Sequence, residues 1–153
     1  MLISFSQPIS LYKGNPHYFF YKGKPTILVA SSEHYGSVIN TDFDFEKYLK
    51  TLKKIGINHT RIWLGDYVEK PGDFCLSANT SAPSPGKFLT PWERSTEDGF
   101  ALGGNKFDLD KWNLAFFSRL HNFMKQASDN DIVAEYIIFF VGPNWKYLPM
   151  NPG

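Results

Sequence analysis

Glu33, His34 and Tyr35 stand in a row where an apolar run ends, in the stretch GKPTILVASSEHYG from Gly23 to Gly36. An acid, a base and a phenol side by side can give or take a proton, and a cation close by would hold a carboxylate ionised. Arg61 offers such a cation in the next apolar run, INHTRIWLG, which also carries Trp63 and leads to Asp66. A third run, EYIIFFVGPNW, delivers Asn144 and Trp145. The set Glu33, His34, Tyr35, Arg61, Trp63, Asn144 and Trp145 combines hydrogen-bonding groups with indoles that suit flat, weakly polar ligands. Each charged member could equally serve as one half of a buried ion pair.

The other reactive side chains carry less. Glu69 and Glu93 fall in a long polar segment and read as solvated, and His17, His59 and His121 form no HxH or HExxH pair, so no metal site is expected. Cys75 is the only cysteine, which excludes an intrachain disulfide and a CxxC redox pair. Nothing calls for a cofactor.

The elements that must position these residues follow from periodicity. Two apolar runs split by Lys22-Gly23-Lys24-Pro25 predict a small hairpin, and Thr26 to Ser31 then reads as strand one. Thr41, followed three residues later by Asp44, resembles a capping box. Phe45, Tyr48, Leu49, Leu52 and Ile55 continue at helical spacing to Gly56. Ile57 to Leu64 reads as a strand buried on both faces. A Pro, Gly and Ser-rich excursion runs from Gly65 to about Lys106, with Phe74, Phe88, Trp92 and Phe100 favouring a packed insertion. Asp108 can cap a second helix striped by Leu109, Trp112, Phe116, Leu120, Phe123 and Ala127, and Ile132 to Val141 forms strand three. Alternating strands and helices imply an α/β fold with a parallel sheet, and in such folds ligands bind past the carboxyl ends of the strands.

At 153 residues one domain spanning residues 1–153 is expected. Sixteen basic against fifteen acidic residues give a net charge of +1, so nothing draws nucleic acid or an anionic membrane to the chain. No apolar window reaches membrane-spanning length and MLISFSQPISLYKG lacks the form of a secretory leader, which predicts a soluble protein of unassigned compartment. Aromatic residues make up 17% of the chain, a surplus compatible with stacking on sugar rings.

One segment resembles a known family. Gly56-Ile57-Asn58-His59-Thr60-Arg61-Ile62 is similar to the Gly-x-Asn-x-x-Arg-Ile/Leu signature on the second strand of cellulase-like clan A glycoside hydrolases, and the helix Phe43 to Ile55 matches the approach to it. The Tyr21 to Pro25 hairpin followed by Ser32-Glu33-His34-Tyr35 is similar to members whose first strand ends in a polar cluster lining a sugar subsite. The resemblance covers roughly Leu11 to Gly65 and Asp108 to Trp145. It implies a partial (β/α)8 TIM barrel of about three βα units preceded by a small N-terminal β-hairpin. Carbohydrate would be the partner, and Arg61 would keep the nucleophile charged. Family members are retaining O-glycosidases with an acid/base after strand four and a nucleophile after strand seven, positions beyond Gly153. Retaining chemistry needs two carboxyl groups about 5 to 5.5 Å apart. Glu33 with Asp66 is geometrically open as such a pair but matches neither family position.

The chain therefore reads as the N-terminal part of a glycoside hydrolase, inactive alone, with no catalytic residue of its own. The alternatives are a noncatalytic carbohydrate-binding or interaction protein, or an α/β domain unconnected with sugars. Three parallel strands would leave open edges and an apolar face, which predicts self-association or a partner chain that completes the sheet.

Overall fold

The computed structural model describes residues 8–31, 35–64, 68–77, 79 and 81–138. Near the N-terminus, Lys22 and Gly23 both take positive φ, 47° and 78°, between β2 (Phe19–Tyr21) and β3 (Lys24–Thr26). Two such residues in a two-residue loop twist in the sense that a tight hairpin requires. β1 (Ser10–Leu11) adds to β2, giving an antiparallel sheet in the order β1-β2-β3.

Strand one is much shorter than its apolar run suggests. Only β4 (Ala30–Ser31) pairs as a strand, because the side chain of Asn58 occupies the pairing groups just before it. Asn58 Oδ1 accepts from Val29 N at 2.8 Å and its Nδ2 donates to Ile27 O at 2.9 Å. An amide side chain with a donor and an acceptor thus replaces a stretch of ladder.

Helix α1 (Phe45–Ile55) starts at Asp44, whose carboxylate accepts from Lys47 N at 2.9 Å. Thr41, the expected cap, instead bonds Lys87 O through both its N and its Oγ1. The helix stops at Gly56, φ 81°, a left-handed cap that glycine adopts without strain. β5 (His59–Trp63) follows, and lies parallel to β4 on one side and to β8 (Val133–Ile137) on the other.

The segment expected as a loop folds further. Trp92–Asp98 forms β6 and Asn105–Trp112 forms β7, an antiparallel hairpin in which Trp92 faces Trp112 and their indoles stack 6.5 Å apart. Its inner side gathers Phe88, Phe100 and Phe107, with Phe100 and Phe107 edge to face at 5.0 Å. Phe74 stays outside this cluster and is exposed. Leu109 and Trp112 therefore belong to a strand, and Asp108 caps nothing. Helix α2 (Leu114–Asp129) begins at Asn113, which accepts from Ala115 N at 3.1 Å.

The expected partial TIM barrel is corrected by these observations. Five of the eight described strands lie in small antiparallel sheets, and of Thr26 to Ser31 only Ala30–Ser31 joins the parallel sheet. A barrel needs a helix after every strand and one continuous parallel sheet, and a three-stranded parallel sheet with two antiparallel appendages is not a piece of one.

The core forms where α1 and α2 cover one face of the parallel sheet. Phe116, Phe123, Leu49, Ile39 and Ile62 are fully buried there, Phe45 meets Phe123 edge to face at 5.5 Å, and Tyr48 Oη lies 2.7 Å from Thr60 Oγ1. Among the described residues no helix is long and apolar enough to cross a membrane.

Candidate functional site

Side chains alternate across a strand, so the burial of Thr60 and Ile62 against the helices sends His59, Arg61 and Trp63 to the other face of β5. On β8 the same alternation packs Ala134 and Tyr136 on the core and leaves Glu135 opposite them. Arg61 and Glu135 are register partners on adjacent parallel strands. Arg61 Nη2 donates to Glu135 Oε2 at 3.0 Å, and His59 Nε2 lies 3.3 Å from the same oxygen. One carboxylate thus bridges a guanidinium and an imidazole.

This cluster is open enough to meet a ligand. The side chains of Arg61 and Glu135 are 43% and 37% exposed, while His59 is 14% exposed and is held in place by strand pairing on both sides. Arg61 Nε is shut off from solvent without a hydrogen-bond partner among the described residues, so part of the guanidinium's donor capacity is unused. Behind the sheet, burial pushes the Tyr136 phenol up to about 12, which keeps it protonated throughout the neutral range.

Of the seven residues singled out by sequence, Arg61 and Trp63 share this face, with Trp63 largely buried. Tyr35 opens a short 3-10 helix, Tyr35–Ser37. Glu33, His34, Asn144 and Trp145 lie outside the described residues, as does Asp66. Glu69, expected to be solvated, is 4% exposed and accepts from Asn79 Nδ2, whereas Glu93 is exposed as read. Glu135 escaped the sequence reading because it sits inside a strand and not past its end. The signal it gave was that Arg61 and Glu135 are each the lone formal charge of their strand.

The loop that carries Tyr35 away from β4 is pinned by Arg119 of α2. Its Nε donates to Val38 O at 2.9 Å and its Nη2 to the carbonyls of Ser37, Asn40 and Phe43 at 2.9 to 3.0 Å, and the guanidinium lies 4.7 Å over the Phe45 ring. Burial lowers the Arg119 pKa, but the carbonyl dipoles around it favour the cation.

Two clefts lie away from the sheet face. One, of 620 Å³, runs beside α1 past Tyr48 and Asn79, and the other, of 560 Å³, separates the Pro71 to Gly86 loop from the β6–β7 hairpin. Neither Arg61 nor Trp63 lines either cleft. Among the described residues no three His, Cys, Asp or Glu side chains gather so as to hold a metal ion.

No protein-family model matches the chain. No curated protein matches it either. In backbone it is similar to a solved structure of a putative glycoside hydrolase from Bacteroides vulgatus ATCC 8482, with a TM-score of 0.61 and 19% identity over 88% of this chain. The chain spans 24% of the length of that protein. The similarity is one of fold, and it does not extend to a cellulase-like clan or to particular catalytic residues.

Proposed function

We propose that this chain is the carbohydrate-binding part of a glycoside hydrolase-like protein, and that sugar meets it on the sheet face bearing His59, Arg61 and Glu135. The observation that carries the reading is that the chain shares its fold, over 88% of its length, with part of a protein described as a putative glycoside hydrolase. The charged cluster supports the location. An arginine and a carboxylate side by side offer adjacent donors and acceptors, which is what vicinal hydroxyls engage.

On this reading His59, Arg61 and Glu135 bind and orient, and the two carboxyl groups that break an O-glycosidic bond are not both on this chain. Arg61 and His59 together hold Glu135 in place, so it acts as an acceptor for hydroxyls.

Titrating the chain with plant oligosaccharides while assaying aryl glycosides tests this. Binding without turnover is expected, weakened about tenfold by Glu135→Gln, the loss of one charge-assisted hydrogen bond. Absence of binding at millimolar ligand would remove the reading, and robust turnover lost on Glu33→Gln would show that the chain is a complete catalyst.

A further inference from the structure

We infer that the cleft between the β6–β7 hairpin and the proline-rich loop before it is a second sugar subsite, one that takes a uronic acid by its carboxylate on Arg94. The inference rests on the carbohydrate reading above, and it names the class of sugar.

Arg94 is held in place before any ligand arrives. Its guanidinium lies 4.0 Å over the Phe107 ring and 4.7 Å over Phe100, and Nη1 donates to Asn105 O at 2.6 Å. Asn105 is itself fixed, since its Nδ2 donates to Ser95 O at 2.7 Å. A guanidinium has five N–H donors, and among the described residues a single backbone carbonyl takes from it.

Three nearby acids have partners of their own. Glu97 pairs with Lys106 at 2.7 Å, Asp108 with Lys111 at 3.3 Å, and Glu69 accepts from Asn79. Among the described residues no carboxylate lies within ion-pairing distance of Arg94, and burial lowers its pKa with no acidic neighbour to offset that effect. The charged groups lining the cleft are Lys70 and Arg94 against Glu69, one net positive charge. Arg94 is exposed at the cleft, with the two rings against its guanidinium, so an anionic ligand can reach its N–H donors from solvent.

The rest of the cleft suits a pyranose. Phe88, half-buried and backed by the buried Phe100 stacked 6.1 Å from it, gives one wall an apolar surface for the C–H face of a ring. Gly103 and Gly104, both at positive φ, turn the hairpin beside Arg94, and a Cβ on Gly104 would come 4.0 Å from Arg94 Nη1. The lip is therefore bare backbone. A volume of 560 Å³ falls within the range of about 300 to 1,000 Å³ typical of small-molecule sites.

The test is calorimetric titration of the whole chain with digalacturonate, with the matched neutral galactose dimer and with acetate. Digalacturonate should bind about tenfold more tightly than either control, and Arg94→Gln should remove that margin while Arg94→Lys keeps part of it. Equal affinity for the acidic and neutral dimers, or an unchanged Arg94→Gln, overturns the inference, and acetate matching digalacturonate reduces the site to a bare anion site. Should Arg94→Gln fail to fold, amide shifts in the unaltered chain decide: changes at Phe88, Phe100, Gly103 and Gly104 support the subsite, and changes confined to β5 and β8 sink it. Acidic-dimer binding that survives Arg94→Gln but is lost in Glu135→Gln removes this subsite and leaves the sheet-face reading standing. The reverse pattern removes the sheet-face location alone.

Discussion

Glu135 Oε2 lies 3.0 Å from Arg61 Nη2 across two parallel strands, and the two residues are direct register partners. An arginine that sequence marked as a support for some carboxylate has found one in the adjacent strand. The pair is about two-fifths exposed, so solvent screens it. A double-mutant cycle with Arg61→Met and Glu135→Gln should give a coupling of about 1 kcal/mol by chemical denaturation, and zero coupling would mean the contact is incidental.

Asn58 joins three strands: its side chain holds Ile27 and Val29, and its carbonyl accepts from Val133 N at 2.8 Å. Asn58→Leu keeps the volume and deletes the amide, leaving the Val29 N–H and the Ile27 carbonyl, both on exposed residues, to water. The expected cost is about 1 kcal/mol, and Asn58→Asp should restore only the bond to Val29 N.

Arg119 satisfies four backbone carbonyls of the loop after β4. Arg119→Ala should cost about 2 kcal/mol, because it removes the charged donor from these carbonyls, of which Asn40 O and Phe43 O keep a backbone N–H, and uncovers Phe45. Arg119→Lys cannot reproduce the fork and should recover less than half, as read from urea midpoints at constant slope.

The hairpin tip is tied to the turn before β8 by Lys22 and Asp131, 2.7 Å apart. The hydrogen bond that Lys22 Nζ donates to Asp131 Oδ1 holds the Asp131 pKa below its ordinary 3.8, and the same bond raises Lys22 above 10.5. The stability it adds is complete above pH 3.8, declines as pH falls and vanishes below the depressed folded value; at the alkaline end it is lost as pH rises through the raised Lys22 value. Both groups are well exposed, so the effect stays below about 1 kcal/mol. Thermal melts of Lys22→Met and the unaltered chain should converge as pH falls below the depressed Asp131 value, and a gap that persists once the carboxyl is protonated would mean that Lys22 acts through packing.

Among the described residues β4 and β8 each pair only with β5, and Ile27, Val29 and Ile138 are 61%, 50% and 61% exposed at the ends of these strands. Unpaired edges beside apolar side chains favour association, with a second copy or with a partner strand. Sedimentation should show mass rising with concentration, and a monodisperse monomer throughout would refute this.

What the sequence determined by itself was local. The Lys22-Gly23 turn, the α1 stripe ending at Gly56, and the two parallel strands around Arg61 and Glu135 follow from positive-φ preferences and from side-chain period, forces that act within a few residues. Tertiary structure decided the rest. WERSTED alternates too weakly to announce a strand, and Leu109 and Trp112 happen to fall at helical spacing, so only pairing between β6 and β7 could show that both belong to a hairpin. The shortening of strand one hung on the Asn58 side chain reaching back 29 residues to Val29. The partner of Arg61 lay 74 residues away and was fixed by strand register, a relation between distant segments that no local period encodes.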